Sequence, residues 1–256
     1  MKRIELENYL KNLFRPELFD DYCPNGLQIE GKEEINKIIF SLSATRESAE
    51  YTAKNKACAL IVHHGLFWKF HGTRTITGTF YKRISPLLKN DINLIAYHLP
   101  LDGHIEIGNA ATLAHKLELI DLAPFGEYKK AYTGIKGKLS TPLTPSELKS
   151  KLESFLNHQA LYSNPIENNK RKIETIGIIT GGANSQWAEA SKLGLDAYIT
   201  GEMSEHDWHE SREAGIHMFA GGHHATERFG IIALMEKMKK DFPELSVEYF
   251  ESENPA

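Results

Sequence analysis

The sequence predicts an α/β protein built from two related halves facing each other. Short apolar runs alternate with stretches of helical periodicity along most of its 256 residues. The strand–helix–strand spacing is nearly equal in the two halves, from Ile38 to Ala59 and from Ile176 to Ala197. Clusters of His, Asp and Glu come directly after the apolar runs, and ligands gather at the carboxyl ends of strands in open parallel sheets.

The elements follow in order. Residues Ile4 to Leu13 carry Ile4, Leu6, Tyr9, Leu10 and Leu13 at helical spacing. Asp21-Tyr22-Cys23-Pro24-Asn25-Gly26 is turn chemistry, and the short segment from Gly26 to Gly31 reads as a strand. Lys37 to Ser43, with Ile38, Ile39, Phe40 and Leu42, reads as a buried strand. A helix from Arg46 to Lys56 leads to a strand from Ala57 to Val62, which ends at His63-His64-Gly65. A helix from Thr79 to Lys89 leads to a strand from Asn93 to Tyr97, which ends at His98. Pro100 makes the span from His98 to Asp102 a loop, and Gly108 to Leu117 is helical.

From Asp121 to Arg171 the alternation breaks. Tyr132 to Leu139 reads as a strand. Thr144, Pro145 and Glu147 form a helix start with a capping box, ahead of an apolar face of Leu148, Leu152, Phe155 and Leu156. The segment from Asn164 to Asn169 is the most linker-like. The alternation then resumes with strands at Thr175–Thr180, Asp196–Thr200 and His217–Ala220. Helices fill Ser185–Leu193 and Ser204–Ala214, and a long helix runs to about Lys240 before a last strand at Leu245–Phe250. The expected division is residues 1–125, carrying His63, His64 and Asp102, and residues 126–256, carrying His223 and Glu227. The C-terminal helix is free to pack on the first half.

Composition narrows the function classes. Apolar content is 41%, charged content 25% and formal net charge -4, with no long basic run, which disfavours a nucleic-acid partner held by its phosphates. Lys170-Arg171-Lys172 is a solvated loop on the same logic. Cys23 and Cys58 form no CxxC, so they read as plain buried residues of a reducing compartment. The N-terminus lacks the apolar core of a signal peptide, and no run reaches the length of a membrane span, so a cytoplasmic protein is expected.

The chemistry centres on Gly221-Gly222-His223-His224-Ala225-Thr226-Glu227, a strand end, a glycine turn and the first turn of a helix. His223 and Glu227 are four apart and share one helix face, an imidazole and a carboxylate aimed at one point. His63-His64 and His98 with Asp102 are two further sets. The His63-His64 pair at a strand's end can serve two ions about 3.5–4 Å apart, the spacing of two-metal hydrolytic sites. Asp102 adds a hard oxygen and Glu227 a bridging carboxylate, a donor set suited to Zn, Fe, Mn or Ni. Each set alone has a plain alternative: buried or surface histidines, and an acidic residue favoured at a helix start. Three sets, each at a strand end, argue together for metal.

His98, His104 and Glu202 are candidates for moving protons, and His206 lies near enough to the same loops to support them. His71, His115, His158, His209 and His217 read as core or surface residues. Phe67, Trp68 and Phe70 read as core packing rather than a pocket wall. Gly181-Gly182-Ala183-Asn184 suits either an anion-holding turn or a tight strand–helix connection.

Ile61-Val62-His63-His64-Gly65, Tyr97-His98-Leu99-Pro100-Leu101-Asp102, Ile199-Thr200-Gly201-Glu202 and Gly222-His223-His224-Ala225-Thr226-Glu227, in this order, resemble the motifs of a known family. It is the dinuclear metal-binding family of GTP cyclohydrolase 1 type 2 homologues, relatives of NGG-interacting factor three. Asp21-Tyr22 through Gly31 and Trp68-Lys69 look most like its short bacterial YbgI branch, and the resemblance spans nearly the whole chain. It implies two similar three-layer α/β/α domains facing each other across a metal-binding cleft, and a toroidal homohexamer. It implies two divalent ions held by His63, His64, Asp102, His223 and Glu227. One ion is shared by His64 and Asp102 and the other by His63 and His223, with Glu227 between them. His98 matches a motif histidine beside the metals. Many relatives carry a large inserted domain in mid-chain, for which the stretch from Asp121 to Arg171 is too short. Gly103-His104 stands where relatives vary.

A metal-dependent hydrolase acting on a nucleotide or a phosphoester is the first functional expectation. A metal-delivery protein without turnover is the second, and a scaffold tied by its ions the third.

Overall fold

The computed structural model describes residues 1–167 and 169–256. They form two compact units: residues 1–101 with 231–253, and residues 102–230 with 254–256.

In the first unit, β1 (Gly26–Ile29), β2 (Lys37–Ser43), β3 (Ala59–His64), β4 (Asn93–Ala96) and β11 (Ser246–Tyr249) make one sheet in the order β1-β4-β3-β2-β11. β11, β2, β3 and β4 are parallel, and β1 closes the edge antiparallel to β4. The helices are α1 (Arg3–Phe14), α2 (Arg46–Lys54) and α3 (Gly78–Lys89). Ile39, Leu60, Val62, Leu94 and Ala96 turn one sheet face onto Ala49 of α2 and Phe80, Ile84 and Leu87 of α3. Burying each Ile, Leu, Val or Phe among them is worth about 1.5–3 kcal/mol, which fixes the register of the strands.

The second unit carries α5 (Asn109–Lys116), β5 (Leu119–Tyr128), β6 (Ala131–Leu143), α6 (Pro145–Leu156) and β7 (Leu161–Ser163). β8 (Ile173–Ile178), α7 (Trp187–Lys192), β9 (Ala197–Thr200), α8 (Glu205–Glu213) and β10 (His217–Ala220) follow. Its sheet order is β5-β6-β8-β9-β10-β7, with β8, β9 and β10 parallel and the rest antiparallel. Ile176, Ile178, Ile199 and Phe219 face Leu113 of α5 and Leu148, Leu152 and Leu156 of α6. Tyr198 and Met218 face Phe125, Ala190 and Ile216 on the other side. Helices α4 (Leu99–Asp102) and α9 (His223–Asp241) each contribute residues to both units.

The equal spacing read from the sequence is a register. Ile38 pairs with Ala59, and Ile176 pairs with Ala197. The capping box of α6 is in place: Glu147 N–H donates to Thr144 Oγ1 at 3.3 Å, and Thr144 N–H donates to Glu147 Oε2 at 2.8 Å.

Four features depart from the sequence reading. The units divide at Leu101/Asp102 and again within α9, not near residue 125, because α5 packs under β6 and β11 joins β2. The span from His98 to Asp102, read as a loop, contains the helical turn α4. Pro100 sits in its first turn, where no N–H is needed, and Leu101 N–H donates to His98 O at 2.9 Å. β5, with Pro124 inside, and the three-residue β7 lie outside the elements read from the sequence. Both are edge strands, where proline is tolerated and alternation is weak. Of the linker-like segment from Asn164 to Asn169, Asn168 lies outside the described residues.

His217, read as a core or surface residue, is buried at the start of β10 with Nδ1 at 2.8 Å from Tyr162 Oη. Burial pushes its pKa down from 6.5 to about 4, Asp196 raising it and Arg171 lowering it further. An unfolded chain takes up this proton below pH 6.5 while the folded one does not, so stability falls as pH drops from 6.5 toward 4. The expected loss is about 1.4 kcal/mol per pH unit in that window. Urea denaturation at pH 7 and pH 5 checks it against His217→Asn, which is expected to remove this part of the slope.

Candidate functional site

In the first unit, the ends of β3 and β4 bring three imidazoles together. Ring centroids are 4.6 Å apart for His63 and His64, 5.0 Å for His63 and His98, and 5.8 Å for His64 and His98. One ring nitrogen from each lies within 4.8 Å of the others, close enough to share an ion. His63 and His98 are buried and His64 is half-buried. Both residues of the His63-His64 pair still belong to β3.

The chain holds the Nδ1 side of each ring. His63 Nδ1 is 3.0 Å from the Tyr97 carbonyl, His64 Nδ1 is 3.0 Å from Ser43 Oγ, and His98 Nδ1 is 3.0 Å from Asp21 Oδ1. A carbonyl or carboxylate acceptor fixes the proton on Nδ1. In His63 and His98 it therefore leaves the lone pair on Nε2, the tautomer that a metal ligand or a base needs.

Asp21 is the residue that reading the sequence as turn chemistry misses. It is buried, and its carboxylate also accepts from Cys23 N–H at 3.1 Å, Asn25 Nδ2 at 3.0 Å and Leu99 N–H at 2.9 Å. Asn25 Oδ1 in turn accepts His98 N–H at 2.8 Å. Burial would raise the pKa of this carboxyl, but His98, Asn25 and the Leu99 amide outweigh it and bring it down to about 2. The only signal in the sequence is a carboxylate beside the Pro24-Asn25-Gly26 turn.

In the second unit, β10 ends at Gly221-Gly222, and Gly222 takes φ +91° to start α9. His223 Nε2 lies 2.9 Å from Glu227 Oε2 one turn on, and His223 Nδ1 lies 2.5 Å from Glu202 Oε1. Burial opposes a charge on this ring. The bonds and fields of Glu227 and then Glu202 outweigh it and raise the pKa from 6.5 to about 9. Glu202, expected to move protons, is exposed, with its carboxylate on His223 Nδ1.

Gly181 lies in the turn that follows β8. Its φ is +66°, and a Cβ would stand 1.9 Å from Glu227 Oε1. Its N–H donates to Thr226 Oγ1 at 3.1 Å, and its carbonyl accepts from Gly201 N–H at 3.0 Å. The glycine is a recess for the carboxylate.

Asp102, also buried, accepts from Asn109 Nδ2 at 2.8 Å, and Asn109 Oδ1 accepts Gly230 N–H of α9 at 2.7 Å. Asn109, fully buried at the start of α5, carries no mark in the sequence that singles it out. His104 is half-buried, and its Nδ1 accepts Glu106 N–H at 3.2 Å and Ile107 N–H at 3.3 Å, so it ties off its own turn. His206 is exposed, 3.6 Å from Asp207. Cys23 and Cys58 are buried free thiols.

The donor set fits divalent metal: imidazoles with one nitrogen held by the chain, and carboxylates fixed by amides. Gly181→Ala is expected to displace the Glu227 carboxylate and bring the His223 pKa down from about 9 toward 6.5. An NMR titration of the metal-free protein reads it. An unchanged pKa would show that Glu227 moves aside without cost.

A sequence profile of the Duf34/NIF3 (NGG1p interacting factor 3) family matches residues 1–255. Two relatives called "GTP cyclohydrolase 1 type 2 homolog", from Pasteurella multocida and Haemophilus influenzae, are 45% and 44% identical over the full length of both chains. Among solved structures, "protein ybgI, unknown function" is 39% identical with a TM-score of 0.89, all of both chains being covered. The protein TTHA1606 from Thermus thermophilus is 30% identical with a TM-score of 0.88, again over all of both chains. Reduced HcgD from Methanocaldococcus jannaschii, 21% identical with a TM-score of 0.84 over 97% of both chains, shares the fold. The chain belongs to the Duf34/NIF3 family.

Proposed function

We propose that the chain binds two divalent metal ions through His63, His64, Asp102, His223 and Glu227 and is a metal-dependent hydrolase of nucleotides or phosphoesters. The observation that carries this reading is the pair His63 and His64, whose ring nitrogens lie within 4.8 Å of each other, with the His98 ring beside them. The His223–Glu227 pair at 2.9 Å, with Glu202 on the far side of the imidazole, supports it independently. A carboxylate–histidine–metal arrangement raises ligand basicity and fixes the ring. When bound, the ions supply Lewis acidity and make water a stronger acid.

The chain's own residues do the rest. His98, held by Asp21, presents Nε2 as a proton acceptor. Glu202 keeps His223 oriented, and Asn109 does the same for Asp102. His104 is retained as a proton carrier only through its place two residues after Asp102. The same reading includes a toroidal homohexamer in the cytoplasm. Among the described residues no helix is long and apolar enough to cross a membrane.

Elemental analysis of protein purified without added metal is expected to find two ions per chain, falling to one or none in His63→Ala and Glu227→Ala. Loaded protein is expected to turn over at least one member of a nucleotide and phosphoester panel, with Glu227→Ala slower by about 100-fold or more. Full metal occupancy with no turnover anywhere in the panel sinks the hydrolase reading. Cation binding between His223 and Glu227 must displace the proton that His223 holds up to about pH 9. Affinity is therefore expected to rise about tenfold per pH unit below that value, which calorimetry in buffers of different ionisation heat reads as proton release.

A further inference from the structure

Phe67, Trp68 and Phe70, expected to pack in the core, are separated by the structure. Phe67 turns inward against Phe80, with centroids at 6.0 Å and planes at 85°. Trp68 and Phe70 turn the other way. They stack at 5.5 Å and 23°, and Phe70 is 68% exposed. Tyr22 completes the group, 5.7 Å from Trp68 and 6.1 Å from Phe70.

This aromatic group abuts the histidine cluster. Trp68 meets His98 edge to face at 5.0 Å and 85°, and stands 5.9 Å from His64. Tyr22 meets His98 at 5.0 Å and 71°. A ladder of π-faces thus runs from solvent at Phe70 to the imidazoles at the ends of β3 and β4. Beside the group, Lys69 Nζ donates to the Asp21 carbonyl at 2.6 Å and stands 3.6 Å from Asp20, and the Arg74 guanidinium lies 4.0 Å over the Phe80 ring.

We propose that Tyr22, Trp68 and Phe70 form a stacking platform for the flat heteroaromatic ring of a nucleotide-class ligand. The reactive part of that ligand then lies toward His64 and His98. A flat ring gains most from an exposed aromatic face, and stacking is tolerant of ring identity. The assignment rests on the hydrolase reading only for what becomes of the ligand after it binds.

Calorimetry with guanosine 5′-monophosphate and ribose 5-phosphate, on the full chain with and without Mn²⁺, tests it. The nucleotide is expected to bind at least about tenfold more tightly than the sugar phosphate. Phe70→Ala is expected to lose about tenfold for the nucleotide only, with Phe70→Tyr restoring it and ions per chain unchanged. Phe70 is largely exposed, so its truncation leaves the core intact. Equal affinity for the two probes overturns the platform, as does nucleotide affinity within about twofold in Phe70→Ala. A Phe70→Ala chain that changes its sedimentation but not its nucleotide affinity assigns the patch to contact between copies, and also overturns it. Nucleotide binding with no ion ever bound upholds the platform and removes the metal reading.

Discussion

Parallel pairing is the constraint on which the remaining architecture depends. β2, β3 and β4 run side by side in one unit, and β8, β9 and β10 in the other. A parallel ladder brings every carboxyl end to the same edge of its sheet, so the turn leaving one strand lies beside the turn leaving its neighbour. His63-His64 and His98 meet because β3 and β4 are neighbours. The turns after β8, β9 and β10 meet for the same reason, placing Gly181 and His223 against Glu227 and Glu202 against the other side of His223. Ladder hydrogen bonds and buried aliphatic side chains do this work, and the polar residues inherit their positions.

The same constraint made much of the fold legible in the sequence. The strands of the parallel ladders are short runs dominated by apolar residues, and the spacing from Ile38 to Ala59 and from Ile176 to Ala197 is the pairing itself. Polar residues at strand ends are visible because they interrupt those runs. The residues that escape are held by tertiary contact alone. Asp21 is near His98 through a sequence separation of 77 residues, and Asn109 reaches Gly230 across 121. Neither leaves a local pattern. β5 and β7 escape because edge strands need only one partner. The α4 turn escapes because proline, a breaker in mid-helix, is at home in a first turn.

The buried carboxylates have different tasks. Asp21 accepts from two backbone amides, an asparagine and an imidazole, and it stays charged far below neutral pH. A group so fully engaged orients its neighbour and has no proton to exchange. Glu227 is set in a recess that only glycine leaves open, one helical turn from the imidazole that shares its proton. The His223 ring is thus the group whose charge answers to its surroundings, and Asp21 is a fixed reference.

The first sheet is completed by β11, which pairs with β2 although about two hundred residues separate them in the chain. Residues 102–230 lie between, and they form most of the second unit. During vectorial synthesis the inner unit can therefore collapse while the outer one still lacks an edge. Until the ribosome has delivered residues 231–253, β2 carries unpaired N–H and C=O groups beside a strongly apolar strand, an exposure that chaperones act on.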